Sequence, residues 1–225
     1  MRRPRIFPIF DGNIHSTAGV PSPDEATWRG FDVPEVSAMA TITARNGVNV
    51  DQLVATIGAI SADPKIASFT FKAASTWESG GRSRGEIGNF VHAGATSDRG
   101  TTFQLVGDEP PVLLGGNAGP NAVELLLEAL AFCYSVGYVY NAAARGIDIS
   151  ELRYEVEGDL DLRAFVGLDG PRAGFSAIRA TSWVRSPNAT AAQLEELCQY
   201  VQDTSPVRDC LANPVPITTD LVVLD

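Results

Sequence analysis

From Ala129 to Ala144 no residue carries a charge. This run lies inside a longer helical pattern that can start at Pro120, because a missing N–H costs nothing in a first turn. It can end at Arg145, with Gly146 as a left-handed cap. Its apolar residues Leu125, Leu126, Leu127, Leu130, Phe132, Val136 and Val139 fall on nearly all sides. A helix of that kind is surrounded by protein, not laid on a surface. The uncharged run is shorter than the ~18–20 residues needed to cross a bilayer. Glu128, Ser135 and Asn141 also flank or interrupt it. A helix at the centre of a soluble core is expected, and the rest of the chain must wrap it.

The wrapping elements are legible from period. Leu53, Val54, Ile57 and Ile60 give a short amphipathic helix ending near Asp63-Pro64. Phe69 and Phe71 alternate with Thr70 and Lys72 as in a strand. Gly80-Gly81 makes a turn into Arg82–Val91, which predicts a hairpin, and residues 102–106 form a third strand. After the central helix, Leu152, Tyr154 and Val156 alternate with Arg153, Glu155 and Glu157, a half-buried strand. Another strand covers 175–185. A helix follows over 191–203 with the stripe Leu194, Leu197, Cys198 and Val201. Ser205-Pro206 starts a short helical turn, and 215–224 closes as a strand. Sequence-local strand pairs around two long helices indicate an α+β domain over residues 46–225. Residues 1–45 hold Pro4, Pro8, Pro21, Pro23 and Pro34 and little periodicity. They read as an N-terminal arm whose Ile6, Phe7, Ile9, Phe10, Trp28 and Phe31 pack onto something.

The chain has 225 residues, 27 acids and 17 bases, a net charge of −10. Such a surface repels phosphates and anionic lipid heads, so neither nucleic acid nor membrane is an expected partner. Arg2, Arg3 and Arg5 read as a solvated tail. Pro4, Pro8 and Asp11 interrupt any export signal. The 3 cysteines make no disulfide framework, so reduced thiols and a cytoplasmic location are expected.

Most site signatures are missing. His15 and His92 have no partner at metal spacing, so no metal centre is expected, and nothing suggests a cofactor. The loop Gly115–Gly119 before a helix lacks the Lys-Ser/Thr ending of a phosphate cradle and reads as a turn. Asp159 and Asp161 share one side of a strand and read as a solvated face. Of the thiols, Cys198 and Cys210 sit on apolar helix faces. Cys133 reads by pattern as a small buried hydrophobe. No base lies within a helical turn of it, so any cation that supports a thiolate must come from elsewhere in the fold.

Three stretches resemble the OsmC/Ohr superfamily of thiol-dependent hydroperoxide reductases. Gly119–Cys133 is similar to the family's Pro-x-Glu-x-Leu-Leu-x-Ala-Leu-Ala-x-Cys helix. Ala144-Arg145-Gly146-Ile147 leads into Glu157-Gly158-Asp159-Leu160-Asp161. Gly174–Arg179 precedes the later helix and Ser205-Pro206-Val207. Together they cover roughly residues 65–225. The resemblance implies antiparallel sheets wrapped around two central helices in an intertwined homodimer, with active sites at the interface. It implies that Cys133 is the peroxidatic cysteine, and that Arg82, in Gly80-Gly81-Arg82, supports its thiolate, with Arg84 second. The family's glutamate, ten residues before the cysteine, falls here on Val123. The acid is Glu124, turned by about 100° on a helix, where an N-terminal acid also favours the helix dipole. The family's resolving cysteine falls on Ser205, which cannot form a disulfide. Cys210 is the substitute, with Cys198 the weaker one.

The implied function is cysteine-dependent reduction of hydrophobic organic hydroperoxides by an external thiol. Two alternatives keep the architecture. In one, Cys133 is the nucleophile of a biosynthetic enzyme; in the other, the dimer is a non-catalytic module that binds an apolar small molecule.

Overall fold

The computed structural model describes residues 44–224. Apart from Ala44 and Arg45, the N-terminal arm lies outside them, as does His15. Ala44 and Arg45 are themselves a strand, β1, paired antiparallel with β2 (Val48–Asn49). Asn46 and Gly47 turn between them at φ of +52° and +78°, the left-handed pair a two-residue hairpin requires. Asn49 then caps α1 (Val50–Ala62) by accepting from the Gln52 amide. This is the amphipathic helix expected from the sequence, but Val54 and Ile57 on its apolar stripe remain exposed.

Two three-stranded antiparallel sheets follow. β3 (Phe69–Thr70), β6 (Phe90–His92) and β7 (Ala95–Ser97) form one, in the order β3-β6-β7. β4 (Ala74–Ser79), β5 (Arg82–Ile87) and β8 (Phe103–Gly107) form the other, in the order β4-β5-β8. The hairpin at Gly80-Gly81 is therefore present. Its first strand, however, is 74–79, not the alternating Phe69–Lys72 segment, and the expected strand 82–91 divides at Gly88-Asn89 between the two sheets.

The central helix, α2, spans Ala122–Ala144. Its cap is Asn121, one residue beyond the expected Pro120 start. The Asn121 side chain accepts from Glu124 N at 2.9 Å, and Glu124 Oε2 accepts from Asn121 N at 2.8 Å, a reciprocal capping box. The other end closes as expected: Gly146 sits at φ +74°, Gly146 N donates to Ala143 O and Ile147 N to Ala142 O, the paired bonds of a left-handed helix stop. Arg45 and Asn46 clasp this end. Arg45 donates to Gly146 O and Asp148 Oδ1, and Asn46 binds the backbone of both Ile147 and Ile149.

β9 (Glu151–Asp159) and β10 (Ala177–Arg185) pair antiparallel over their full length. Leu152, Tyr154 and Val156 face inward as the alternation required, packed with Ile178 and Val184 against the core. Then α3 (Ala191–Thr204) and α4 (Pro206–Ala212) close over α2. The core is Leu130, Tyr134, Tyr138, Ala142, Ile147, Leu197 and Val201. Tyr138 and Leu197 are fully buried; truncating a leucine in such a place costs about 2–5 kcal/mol. Tyr138 donates its hydroxyl to Leu194 O at 2.9 Å, which satisfies the one polar atom it buries. Residues 215–224, expected as a strand, join no ladder, and Ile217, Leu221, Val222, Val223 and Leu224 are exposed.

α2 is long and apolar enough to cross a bilayer, yet one face of it packs on β9, α3 and α4. The opposite face is uncovered within this chain: Phe132 is 66% exposed, Val136 48% and Tyr140 47%. The expectation of a helix enclosed by protein is thus met on one side only.

Candidate active site

Cys133 stands at the border between those two faces. Leu130 and Tyr134, beside it on α2, are buried in the core, whereas Phe132 and Val136 are exposed; Cys133 itself is half-buried. Its Sγ lies 3.1 Å from Ser205 Oγ. Ser205 is the hinge residue between α3 and α4, is 5% exposed, and caps α4 by accepting from Arg208 N at 3.2 Å. The position where the sequence comparison looks for a resolving thiol is therefore in direct contact with Cys133, and a hydroxyl occupies it.

Arg208 is the residue that sequence reasoning missed. It follows Ser205 by three positions, so the cap itself holds it to this corner. Its Nη1 donates to Gln202 O at 3.3 Å. Burial pushes the Tyr134 phenol upward in pKa, and the Arg208 charge pulls partly against that shift, while the neighbouring Cys133 and Cys198 thiols add to it. A guanidinium thus acts on the residue next to Cys133 from within the same chain. Arg208 also lines a cavity of about 530 Å³ between α2, the β9–β10 sheet and α3–α4, with Leu130, Tyr134, Tyr154, Arg172 and Cys198. The walls mix apolar and aromatic side chains with Ser176, Ser182 and Gln202, and two arginines reach the cavity. Burial drives the Tyr154 phenol strongly upward, so tyrosines there remain neutral donors.

Among the described hydrogen bonds and ion pairs, none joins Cys133 to the other expected site residues. Arg82 Nε lies 2.9 Å from Glu78 Oε2, and Arg84 donates to Glu78 Oε1 at 2.9 Å. The Arg82 contact is too bent for a hydrogen bond, and that N–H has no other acceptor among the described residues. Glu124 is occupied by the capping box. Cys210 is exposed on α4. Cys198 is half-buried, with Ser182 Oγ at 3.9 Å and Gln202 Nε2 at 3.6 Å.

Asp108, which carried no signal in the sequence, organises the loop before α2. Buried at 3% exposure, it accepts from Glu109 N, Gly116 N and Ala118 N at 2.8, 3.1 and 3.0 Å. The amide donors of Ala118 and Glu109, ahead of the nearby Arg82 charge, hold its carboxyl below the usual range. The amides that could have cradled a phosphate are thereby used. Gly115 and Gly119 are required by approach, because a side chain would strike Glu109 O and Val106 O. Asp159 and Asp161 are likewise engaged, by Arg179 and Arg163. His92 binds Ile66 O at 2.7 Å and stacks on Phe69.

Residues 115–220 match the family described as OsmC-like protein. They include Cys133, Ser205 and Arg208 but not Arg82. Solved structures similar to the chain include an OsmC-like protein from Mycoplasma pneumoniae, 19% identical, covering 64% of this chain and 89% of that one, with a TM-score of 0.49. An organic hydroperoxide resistance protein OsmC from Legionella pneumophila is 15% identical, covering 63% and 88%, with a TM-score of 0.44. The organic hydroperoxide resistance protein OhrB of Bacillus subtilis is 16% identical, covering 64% and 92%, with a TM-score of 0.41. No curated protein matches the sequence.

Proposed function

We propose that this chain, which carries an OsmC-like domain over residues 115–220, is a cytoplasmic homodimeric reductase of organic hydroperoxides that uses the Cys133 thiolate and an external thiol. The observation that carries the reading is the place of Cys133. It stands half-exposed at the edge of an uncovered apolar helix face, with a hydroxyl group at its sulfur. A thiol buried only for packing has hydrocarbon on every side; this one has a polar partner and an open flank. The uncovered stripe of α2 is where a second subunit adds the rest of the pocket, and an Arg82 brought by the partner's hairpin supplies the second cation. Cys210, exposed on α4, is the candidate for an internal resolving thiol.

The cavity favours a second reading, a binding module without catalysis, because its lining includes Tyr134 and Arg208 but not Cys133 itself. The two separate on one experiment. Stopped-flow mixing of reduced protein with cumene hydroperoxide should show rapid oxidation of one thiol, absent from Cys133→Ser. Equal, slow consumption by both proteins would end the peroxidase reading. Mass spectrometry of the oxidised protein then shows whether Cys133 pairs with Cys210, with Cys198 or with an added thiol.

A further inference from the structure

The geometry points to Ser205 as the positioning residue of Cys133: its hydroxyl donates to the sulfur in the thiolate and in the sulfenate, and so keeps the oxidised cysteine available to an external thiol. This inference rests on the reading of Cys133 as a reactive thiol. A serine hydroxyl has one hydrogen and two lone pairs. One acceptor site of Ser205 Oγ is taken by Arg208 N at 3.2 Å, and its remaining contact is Cys133 Sγ at 3.1 Å. A thiolate has no hydrogen to give, so between these two atoms the serine must be the donor. The cap on α4 thus orients the hydroxyl, and the low exposure of Ser205 keeps water from competing for it. Other titratable or charged groups at this corner are Tyr134 on α2, Tyr154 on β9, Cys198 on α3 and Arg208 on α4. None of them has a hydrogen bond to the sulfur among the described contacts.

The chemistry follows from that donor. The thiolate attacks the terminal, hydrogen-bearing oxygen of R–O–O–H; an S–O bond forms as the O–O bond breaks, giving S–OH and an alkoxide. Sulfur is oxidised by two electrons, and the departing alkoxide takes a proton from solvent to become an alcohol. With a cysteine at 205 the sulfenic acid would condense at once to a disulfide and water. With a serine it cannot. The hydroxyl holds the S–OH oxygen or sulfur until an external thiol attacks, expels water and forms a mixed disulfide, which a second thiol reduces.

The test uses iodoacetamide alkylation of Cys133 from acid to alkaline pH in full-length protein carrying Cys198→Ser and Cys210→Ser. Ser205→Ala should move the profile upward in pH and slow alkylation at neutral pH about tenfold, the loss of one hydrogen bond to a charged acceptor. Ser205→Thr should restore it. Ser205→Gly, which costs a cap only a few tenths of a kcal/mol, should behave like Ser205→Ala, which separates loss of the donor from loss of the helix end. An unmoved profile in Ser205→Ala and Ser205→Gly overturns the assignment. Ser205→Cys should give a disulfide with Cys133 on treatment with diamide, in one-to-one yield and without any peroxide; its failure also overturns the geometry. A shifted profile in a protein that hydroperoxide does not oxidise leaves Ser205 assigned and removes the peroxidase reading alone.

Discussion

The uncovered face of α2 makes the strongest demand on the rest of the molecule, and Phe132 measures it. Full burial of a phenylalanine is worth about 1.5–3 kcal/mol, and Phe132 is 66% exposed. Covering it therefore gains about 1–2 kcal/mol in each chain. A two-fold dimer uses the same patch twice, so Phe132→Glu removes that gain from both sides. It also drives two carboxylates into an apolar seam, where each desolvated charge costs more than the packing it replaces. The loss is about 4 kcal/mol at least, a thousandfold or more in the dimer dissociation constant. Sedimentation velocity over a wide range of concentrations reads this directly. The wild type should sediment as a dimer and Phe132→Glu as a monomer, with the helical circular dichroism retained because the side chain makes no core contact in its own chain. A monomeric wild type at every concentration, or a variant that dimerises equally well, would refute the reasoning that this face is covered by a second copy.

Three further outcomes follow from the fold. Tyr138 is buried, and its phenol is pushed up to about 12 by desolvation first and the Cys198 thiol second. Its folded pKa exceeds the unfolded value near 10, so its contribution is complete below about pH 10 and falls away towards pH 12, by about 3 kcal/mol in all. Urea melts across that window should show the decline, and Tyr138→Phe should flatten it. Asn121→Ala should lower stability by about 1 kcal/mol through loss of the cap, while Glu124→Gln, which can still accept from Asn121 N, should leave the hydroperoxide rate unchanged; a large rate loss would give Glu124 a role beyond the cap. The depressed Asp108 carboxyl contributes stability that is present above about pH 4 and lost as pH falls below it, so Asp108→Asn should give a melt less sensitive to acid, read by urea denaturation at decreasing pH.

The elements legible in the sequence are those whose signal is local. α2 and its left-handed stop at Gly146, the β9 alternation Leu152-Tyr154-Val156 and the stripe of α3 each follow from period and punctuation within one segment. The errors arise where the deciding contact is distant. Ala74–Ser79 is exposed along its whole length in this chain and so lacks the alternation that betrays a strand, whereas Phe69–Lys72 has it yet supplies only a two-residue bridge to β6. Residues 215–224 alternate in part but find no partner strand in their own chain. Asp108 serves amides up to ten positions away, which no spacing rule anticipates. At the site, Cys133 and the serine at 205 were legible through motif order. Their contact, 72 positions apart in sequence, and the presence of Arg208 beside it were not, because both depend on how α4 folds back onto α2.

Two arginines now compete as the cation of Cys133, and the fold makes them separable. Arg208 belongs to the same chain: its backbone amide caps on Ser205 Oγ and its charge acts on Tyr134. Arg82 is engaged by Glu78 in its own hairpin, and on the dimeric reading proposed above a second subunit presents that hairpin to Cys133. If the cation is the arginine of the same chain, it acts whether or not a partner is bound. One that arrives across an interface does so only in the dimer. Arg208→Met should therefore slow Cys133 alkylation both in the dimer and in the Phe132→Glu monomer, and Arg82→Met should slow it in the dimer alone. If Arg208→Met has no effect in either state, the cation lies on the partner, and the pocket of one chain supplies the thiol only its hydroxyl donor.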